Sequence, residues 1–329
     1  MQPELPLPPQ LAIVVPCYNE EAVLPETSRR LGFLLEEMIN AGSIRPDSYI
    51  LFTDDGSRDA TWAIIEQLSA ENQMFQGLRL SRNFGHQHAL LAGLHHAAGA
   101  DAIISIDADL QDDPNAIPQM VAQYHGGYDV VYGVRDNRDT DTRFKRQTAL
   151  LFYKLLHRMG VESVYNHADY RLLSRRALAA LLKFKEVNLY LRGIIPMLGF
   201  KSTVVYYQRQ ERFAGTSKYN LRKMLSFAWN GVSSLSIRPL RFVTFCGFAI
   251  FFLTLTFTGY ALFAYFSGQA VPGWASTVIP IYFLGGVQLL CIGLLGEYLG
   301  KIFKEIKGRP RFIVAEQTEG SAGRKIVSL

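Results

Sequence analysis

Asp107 and Asp109, two carboxylates one residue apart, stand at the end of an apolar run, Ala102 to Ile106. Strands buried on both faces of a parallel sheet read as such unbroken apolar runs. Alternate residues of extended backbone point the same way, so both carboxylates can face one crevice. Paired hard oxygens in that place suit Mg²⁺ or Mn²⁺ carrying a phosphate. Asp-x-Asp is also common in turns, so the pair alone decides little. Two further polar clusters follow apolar runs in the same manner. Leu11 to Val15 leads into Pro16-Cys17-Tyr18-Asn19-Glu20, and Ser48 to Thr53 leads into Asp54-Asp55-Gly56-Ser57.

The elements that must position these groups alternate. The pattern predicts strands at 11–15, 48–53, 77–80, 102–106 and 128–134. Between them it predicts helices over about 21–41, from Asp59 to 72, from 85 to 98, and from Pro114 to 124. Asp59 is suited to cap the second of these, and Pro114 to open the fourth. Such alternation argues for an α/β domain with a mostly parallel sheet and helices on both faces. In such sheets ligands bind outside the carboxyl ends of the strands, where all three polar clusters fall. No G-x-G-x-x-G follows the first strand and no G-x-x-x-x-G-K-[ST] occurs, which excludes the usual dinucleotide and P-loop sites. A diphosphate held by a carboxylate-bound metal remains.

Bulk properties narrow the surroundings. The chain has 329 residues, 49% of them hydrophobic, and a formal charge of +5. That balance permits a nucleic acid, an anionic membrane or a phosphorylated substrate as partner. Cys17, Cys246 and Cys291 are widely spaced, which fits a reducing compartment and offers no disulfide framework or zinc site. Residues 1–10 hold four prolines and no basic region, so they read as a flexible lead-in and not as a signal peptide. His86, His88, His95 and His96 are not spaced as a tetrahedral metal set. His86 and His88 are expected to line the start of a helix near the ligand crevice.

From Phe242 to Gly296 there is no Asp, Glu, Lys or Arg. Two apolar pieces, 242–266 and 275–296, each exceed the roughly 20 residues a helix needs to cross the hydrocarbon core. Arg238 and Arg241 precede the first piece, and Lys301, Lys304, Lys307, Arg309 and Arg311 follow the second. The positive-inside rule then puts both ends, and with them the domain that carries the acidic clusters, on the cytoplasmic side of the membrane. Basic amphipathic stretches at 142–160 and 219–240 are expected to lie on the membrane surface. The basic residues cluster beside the membrane segments and not along an aromatic groove, which argues against nucleic acid. The expected organisation is a flexible terminus (1–10), a catalytic domain (11–218), an interfacial helix (219–240), a transmembrane hairpin (241–300) and a cytoplasmic basic tail (301–329).

The motifs resemble a known family. Val15-Pro16-Cys17-Tyr18-Asn19-Glu20, Asp54-Asp55-Gly56-Ser57-Arg58-Asp59 and Asp107-Ala108-Asp109-Leu110-Gln111 resemble glycosyltransferase family 2, of the GT-A (Rossmann-like) fold. Asn83-Phe84-Gly85, Ala168-Asp169-Tyr170-Arg171-Leu172-Leu173, Arg212 to Tyr219 and Leu295 to Gly300 are similar to the polyprenyl-phosphate glycosyltransferases, the branch with dolichol-phosphate mannose synthases and bacterial undecaprenyl-phosphate glucosyltransferases. The resemblance implies transfer of one sugar, with inversion, from a nucleotide sugar to polyprenyl phosphate. UDP-glucose is the favoured donor, with GDP-mannose, UDP-N-acetylglucosamine, a galactose donor and a UDP-amino-arabinose as alternatives. It implies that Pro16, Tyr18 and Glu20 contact base and ribose, and that Asp54 and Asp55 hold the nucleoside. Asp107 faces ribose or metal, Asp109 ligates the metal (Mg²⁺ or Mn²⁺), and Gln111 lies near the sugar or diphosphate. Arg135, Arg212, Ser217 and Lys218 bind phosphate, and Asp169 is the catalytic carboxylate, orienting or deprotonating the acceptor. A homo-oligomer is allowed. A processive polysaccharide synthase would carry Q-x-x-R-W, which is absent. A membrane-bound sugar-nucleotide-binding protein without activity would have no reason to keep every acidic motif residue.

Overall fold

The computed structural model describes residues 7–136, 167–186, 191–208, 238–267 and 273–318. The described residues fall into two compact units. Residues 7–136, 167–186, 191–208 and 309–318 form the first, and residues 238–267 and 273–308 the second.

The first unit is built on one eight-stranded sheet. Its strands are β1 (Leu11–Cys17), β2 (Tyr49–Asp54), β3 (Phe75–Leu80), β4 (Ala102–Ser105), β5 (Val130–Arg135), β6 (His167–Ser174), β7 (Ser202–Tyr207) and β8 (Val314–Gln317), in the order β7-β5-β6-β4-β1-β2-β3-β8. β1 pairs in parallel with β2 and β4, β2 with β3, and β5 with β7. β6 runs antiparallel between β4 and β5, and β8 antiparallel along β3. The expected α/β architecture is therefore present, with a parallel core and antiparallel insertions. The sequence pattern anticipates β1 to β5. It misses β6, β7 and β8, which lie outside the strand–helix alternation that marks the rest.

Every residue of β1 is buried, as a strand with neighbours on both edges and helices on both faces requires. On one face, α1 (Leu24–Asn40), α2 (Thr61–Glu71) and α4 (Ile117–His125) place Leu31, Leu35, Trp62, Ile65, Ile117 and Met120 against Leu11, Ile13, Val15, Ile50 and Phe52. On the other, α3 (His86–His96) lies so close to β1 and β2 that a Cβ on Gly93 would meet Val14 Cγ1 at 2.4 Å and Thr53 Oγ1 at 2.5 Å. Two short helices, α5 (Arg175–Leu181) and α6 (Leu191–Met197), complete this unit. Observed ends differ slightly from expectation. α1 begins at Leu24, with Pro25 in its first turn, and Pro114 opens a 3₁₀ turn ahead of α4. Asp59 stands just before α2 and accepts from Thr61 N and Oγ1 at 3.1 and 2.6 Å.

The second unit contains two long helices, α7 (Arg238–Phe266) and α8 (Trp274–Ile306), of 29 and 33 residues. They contain the two expected apolar pieces. Within α8, Phe283–Ile306 is long and apolar enough to cross a membrane, while the corresponding stretch of α7 is shorter, Val243–Phe257. Phe245, Phe252 and Phe263 of α7 and Phe283 and Leu289 of α8 are exposed. The interfacial stretch 142–160 lies outside the described residues, as does 219–240 up to the start of α7 at Arg238.

Candidate active site

The carboxyl ends of β1, β2 and β4 carry the three polar clusters, each held by a separate set of hydrogen bonds. Pairing of β1 with β4 ends at Val14 and Ser105, and Val14 O accepts the last bond from Ile106 N at 3.1 Å. Pro16 shares that edge by alternation, beyond the end of β4. Its missing N–H costs no ladder bond there.

The loop after β1 is tied to the loop after β2. Asn19 N donates to Ser57 Oγ, Arg58 N to Asn19 Oδ1 and Glu20 N to Thr61 Oγ1, each at 2.9 Å. Asn19 takes a positive φ of 53°, which asparagine tolerates better than most residues. Tyr18 is exposed and Glu20 half-buried beside these bonds. Asp54 and Asp55 are buried. Asp54 accepts from Ser57 N at 3.1 Å and lies 3.5 Å from Arg79 Nε. Asp55 accepts from Phe84 N at 2.7 Å and Gly85 N at 2.9 Å, which fixes the loop ahead of α3. Burial pushes both carboxyls up, against these bonds. Gly56, at φ 67°, lets this loop pass so near the next that a Cβ would lie 2.6 Å from the Arg82 carbonyl carbon.

Between Asp107 and Asp109, the Ala108 carbonyl accepts from the buried Thr27 Oγ1 of α1 at 2.7 Å. Asp109 Oδ1 accepts from Gln111 N at 3.2 Å, and Leu110 between them takes a positive φ of 56°. Backbone strain of this kind tends to gather at functional sites. Asp107 Oδ1 is buried with no hydrogen-bond partner. Its neighbour is His86 Nε2, at 3.6 Å. A buried carboxylate oxygen without a donor, beside a second carboxylate, fits a hard divalent cation that draws its other ligands from substrate phosphate and water. Among the described residues no group of three ligating side chains exists.

The structure brings Asp169, far away in sequence, to the same place. It lies on β6, and Ser105 Oγ at the end of β4 donates to its backbone carbonyl at 2.6 Å. Its buried carboxylate accepts from Arg171, from Arg192 Nη2 at 3.2 Å and from Gln87 Nε2 at 3.1 Å, and lies 3.5 Å from His86 Nε2. Burial alone would raise its pKa, but Arg171, His86 and Arg192 hold the carboxyl well below the usual range. His86 thus stands between Asp107 and Asp169. Burial opposes its charge, yet the hydrogen bond to Asp169 and the two nearby carboxylates raise it to about 8. Burial pushes Asp107 up to about 6, against the pull of His86.

Arg135 is engaged internally. Its Nη2 donates to the buried Asp112 at 2.9 Å, and Tyr207 OH donates to the same oxygen at 2.5 Å. This network braces the segment after Asp109, where Gln111 is buried. Arg212, Ser217 and Lys218 lie outside the described residues.

Gln87, Arg192, Asp112 and Tyr207 were not foreseen. The Asp169–Arg171 pair had a signal, because residues two apart on a strand share a face. Arg192, on α6, had none.

Beyond the ends of β1, β2 and β3 opens a cleft of about 460 Å³, lined by Tyr18, Arg58, Arg79, Arg82, Ala315 and Glu316 among others. The carboxyl ends of the strands thus carry an aromatic and cationic cleft, the paired carboxylates Asp107 and Asp109 after β4, and the clamped carboxylate of Asp169.

Residues 12–182 match the family described as Glycosyl transferase family 2. An uncharacterized glycosyltransferase of Bacillus subtilis (strain 168), YkoT, is 52% identical over 307 residues, 93% of this chain and 91% of its own. The SfII prophage-derived bactoprenol glucosyl transferase of Shigella flexneri is 38% identical over 315 residues, 95% of this chain and 99% of its own. A prophage bactoprenol glucosyl transferase homolog of Escherichia coli (strain K12) is 38% identical over 310 residues, 93% of this chain and 98% of its own.

Proposed function

We infer the activity from one premise: the chain belongs to glycosyl transferase family 2. It is a glycosyltransferase. The reaction we propose is transfer of one sugar, UDP-glucose being the favoured donor, to the phosphate of a polyprenyl lipid such as undecaprenyl phosphate. The observation that carries this reading is Asp169 standing within 3.5 Å of His86, which lies 3.6 Å from Asp107. Arg192, which this carboxylate holds in position, supplies positive charge for an anionic acceptor. Support for a lipid acceptor comes from the bactoprenol names of relatives at 38% identity and from the apolar stretch Phe283–Ile306.

The chain's residues divide the work. Tyr18, Pro16 and Glu20 receive the nucleoside, while Asp54 and Asp55 hold the loops around it. Asp109, with Asp107, would hold Mg²⁺ or Mn²⁺, which when bound neutralises the departing nucleoside diphosphate. Gln111 lies on the sugar or diphosphate side, and Arg135 braces it through Asp112. The acceptor is a phosphate monoester, with a second pKa of about 6 for comparable monoesters, and needs little help from a base. Asp169, held at low pKa by two arginines, therefore serves better to orient than to take a proton. Arg212, Ser217 and Lys218 grip the lipid phosphate, since arginine binds phosphate bidentately and lysine as a point charge. One direct displacement inverts the anomeric centre. Both apolar helices would span the inner membrane, with the catalytic unit on the cytoplasmic side.

The test is purified protein with undecaprenyl phosphate and a panel of radiolabelled nucleotide sugars. Label from one donor, UDP-glucose first, is expected in the lipid extract. Nucleotide-sugar binding without label in the lipid for any donor would overturn the reading.

A further inference from the structure

The chain's last described segment returns to the catalytic unit and joins the sheet beside the cleft. β8 extends the sheet past β3, with Leu78 opposite Gln317, Arg79 opposite Glu316 and Leu80 opposite Val314. The join is secured at both ends. Ser81 N donates to Ile313 O at 2.9 Å, while Gly77 N donates to Thr318 Oγ1 at 2.9 Å and Thr318 N to Gly77 O at 3.0 Å. Ahead of the strand, the buried Arg311 donates to Phe184 O at 2.8 Å, and Phe312 meets the His95 ring edge-on at 5.8 Å. A solvated tail would need none of these contacts.

β8 also adds side chains to the cleft. Ala315 and Glu316 lie on its wall, facing a set that contains Tyr18, Arg58 and Arg82. Glu316 Oε1 pairs with Arg79 Nη1 at 3.0 Å, and Arg79 Nε stands 3.5 Å from the buried Asp54. One guanidinium thus joins the tail to a carboxylate of the nucleoside loop. The same guanidinium lies over the Trp62 ring at 5.6 Å, which keeps it from swinging away.

We propose that residues 314–318, C-terminal to the apolar helix α8, form one wall of the donor's nucleoside site and set its affinity. The proposal rests on the reading above that the cleft takes the nucleoside of a sugar nucleotide. An enzyme without this wall would leave the nucleoside exposed along β3. In sequence the wall follows the apolar stretch of α8 by residues 307–313, so a chain truncated after its last helix would lose donor affinity.

Ala315 is exposed, so a large side chain there fills the cleft without disturbing the core. The experiment uses the full chain in nanodiscs with Mg²⁺, and UDP and GDP as calorimetric probes. Ala315→Trp is expected to weaken binding of the preferred nucleoside diphosphate at least about tenfold, a loss of roughly 1.4 kcal/mol. Donor KM should rise in parallel, with the polyprenyl-phosphate KM within about twofold of wild type. Should Ala315→Trp fail to fold, Glu316→Lys reverses the charge facing Arg79 and is read by the same two constants. Unchanged nucleoside diphosphate binding in a folded variant overturns the wall. The reading it rests on fails differently: wild-type protein that binds neither UDP nor GDP shows that the cleft takes no nucleoside.

Discussion

Replacing Asp169 with Asn tests whether the clamped carboxylate is both a structural charge and a functional one. The side chain is 5% exposed and that of its partner Arg171 2%, so the pair sits out of water. Arg171 Nε and Nη1 already lack hydrogen-bond partners, which leaves its charge dependent on Asp169. Breaking a buried pair by removing one charge costs about 3–5 kcal/mol. Asn keeps one acceptor oxygen for Arg171 or Arg192, so the lower figure, about 3 kcal/mol, is expected. At about 2–4 °C per kcal/mol for a domain of this size, Tm should fall by about 6–12 °C. Adding Arg171→Met should restore much of that loss, because no buried charge then stands alone. Transfer should stay at least about a hundredfold down in both variants, since neither restores the carboxylate proposed to orient the acceptor. The assay is thermal unfolding in detergent beside sugar transfer to lipid phosphate. A Tm within about 2 °C of wild type in Asp169→Asn, or no recovery on adding Arg171→Met, refutes the buried-pair reasoning. Recovery of transfer in the double variant refutes the role in orientation.

Three further outcomes follow. Asp109→Ala should abolish divalent-cation-stimulated transfer while the protein keeps its Tm in the absence of metal, and normal cation-dependent turnover would sink the metal assignment. Gly56→Ala places a methyl group against the Arg82 backbone at positive φ. With about 1–2 kcal/mol for the backbone and 1–3 kcal/mol for crowding, Tm and donor affinity should both fall, and wild-type values for both would contradict the loop packing. Asp129 is lowered by its hydrogen bond with Arg176 and also accepts from Ser174 Oγ at 2.8 Å. A lowered carboxylate stabilises the fold above its unfolded pKa of about 3.9, and that stabilisation fades as pH falls through the folded value. The Tm gap between wild type and Asp129→Asn should therefore be full at neutral pH and close on acidification. A gap that stays constant or widens toward acid contradicts the sign.

Much of this was legible in the residue pattern because the core strands obey one rule. β1, β2 and β4 are continuous apolar runs ended by polar clusters, and burial on both faces demands that form. β6 escaped notice for a physical reason. Asp169 and Arg171 put charge in its middle, where a buried strand is not expected, and only their mutual pairing makes it tolerable. β8 has the opposite difficulty. It lies at the sheet's edge, where Glu316 and Gln317 give an ordinary polar tail, and the alignment with β3 depends on residues more than 230 positions away. The acidic motifs marked the carboxyl ends of the strands, but did not show that Asp54 and Asp55 accept hydrogen bonds from Ser57, Phe84 and Gly85. Nor did the spacing reveal Gln87 and Arg192, which reach Asp169 only through the packing of α3 and α6.

The central claim is one direct displacement from nucleotide sugar to lipid phosphate. Nuclear magnetic resonance of the purified lipid product reads it most directly. From an α-linked nucleotide sugar the product should hold one sugar per lipid, joined through a single phosphate in the β configuration. An α-linked product, a diphosphate linkage or a chain of sugars on the lipid would contradict the account.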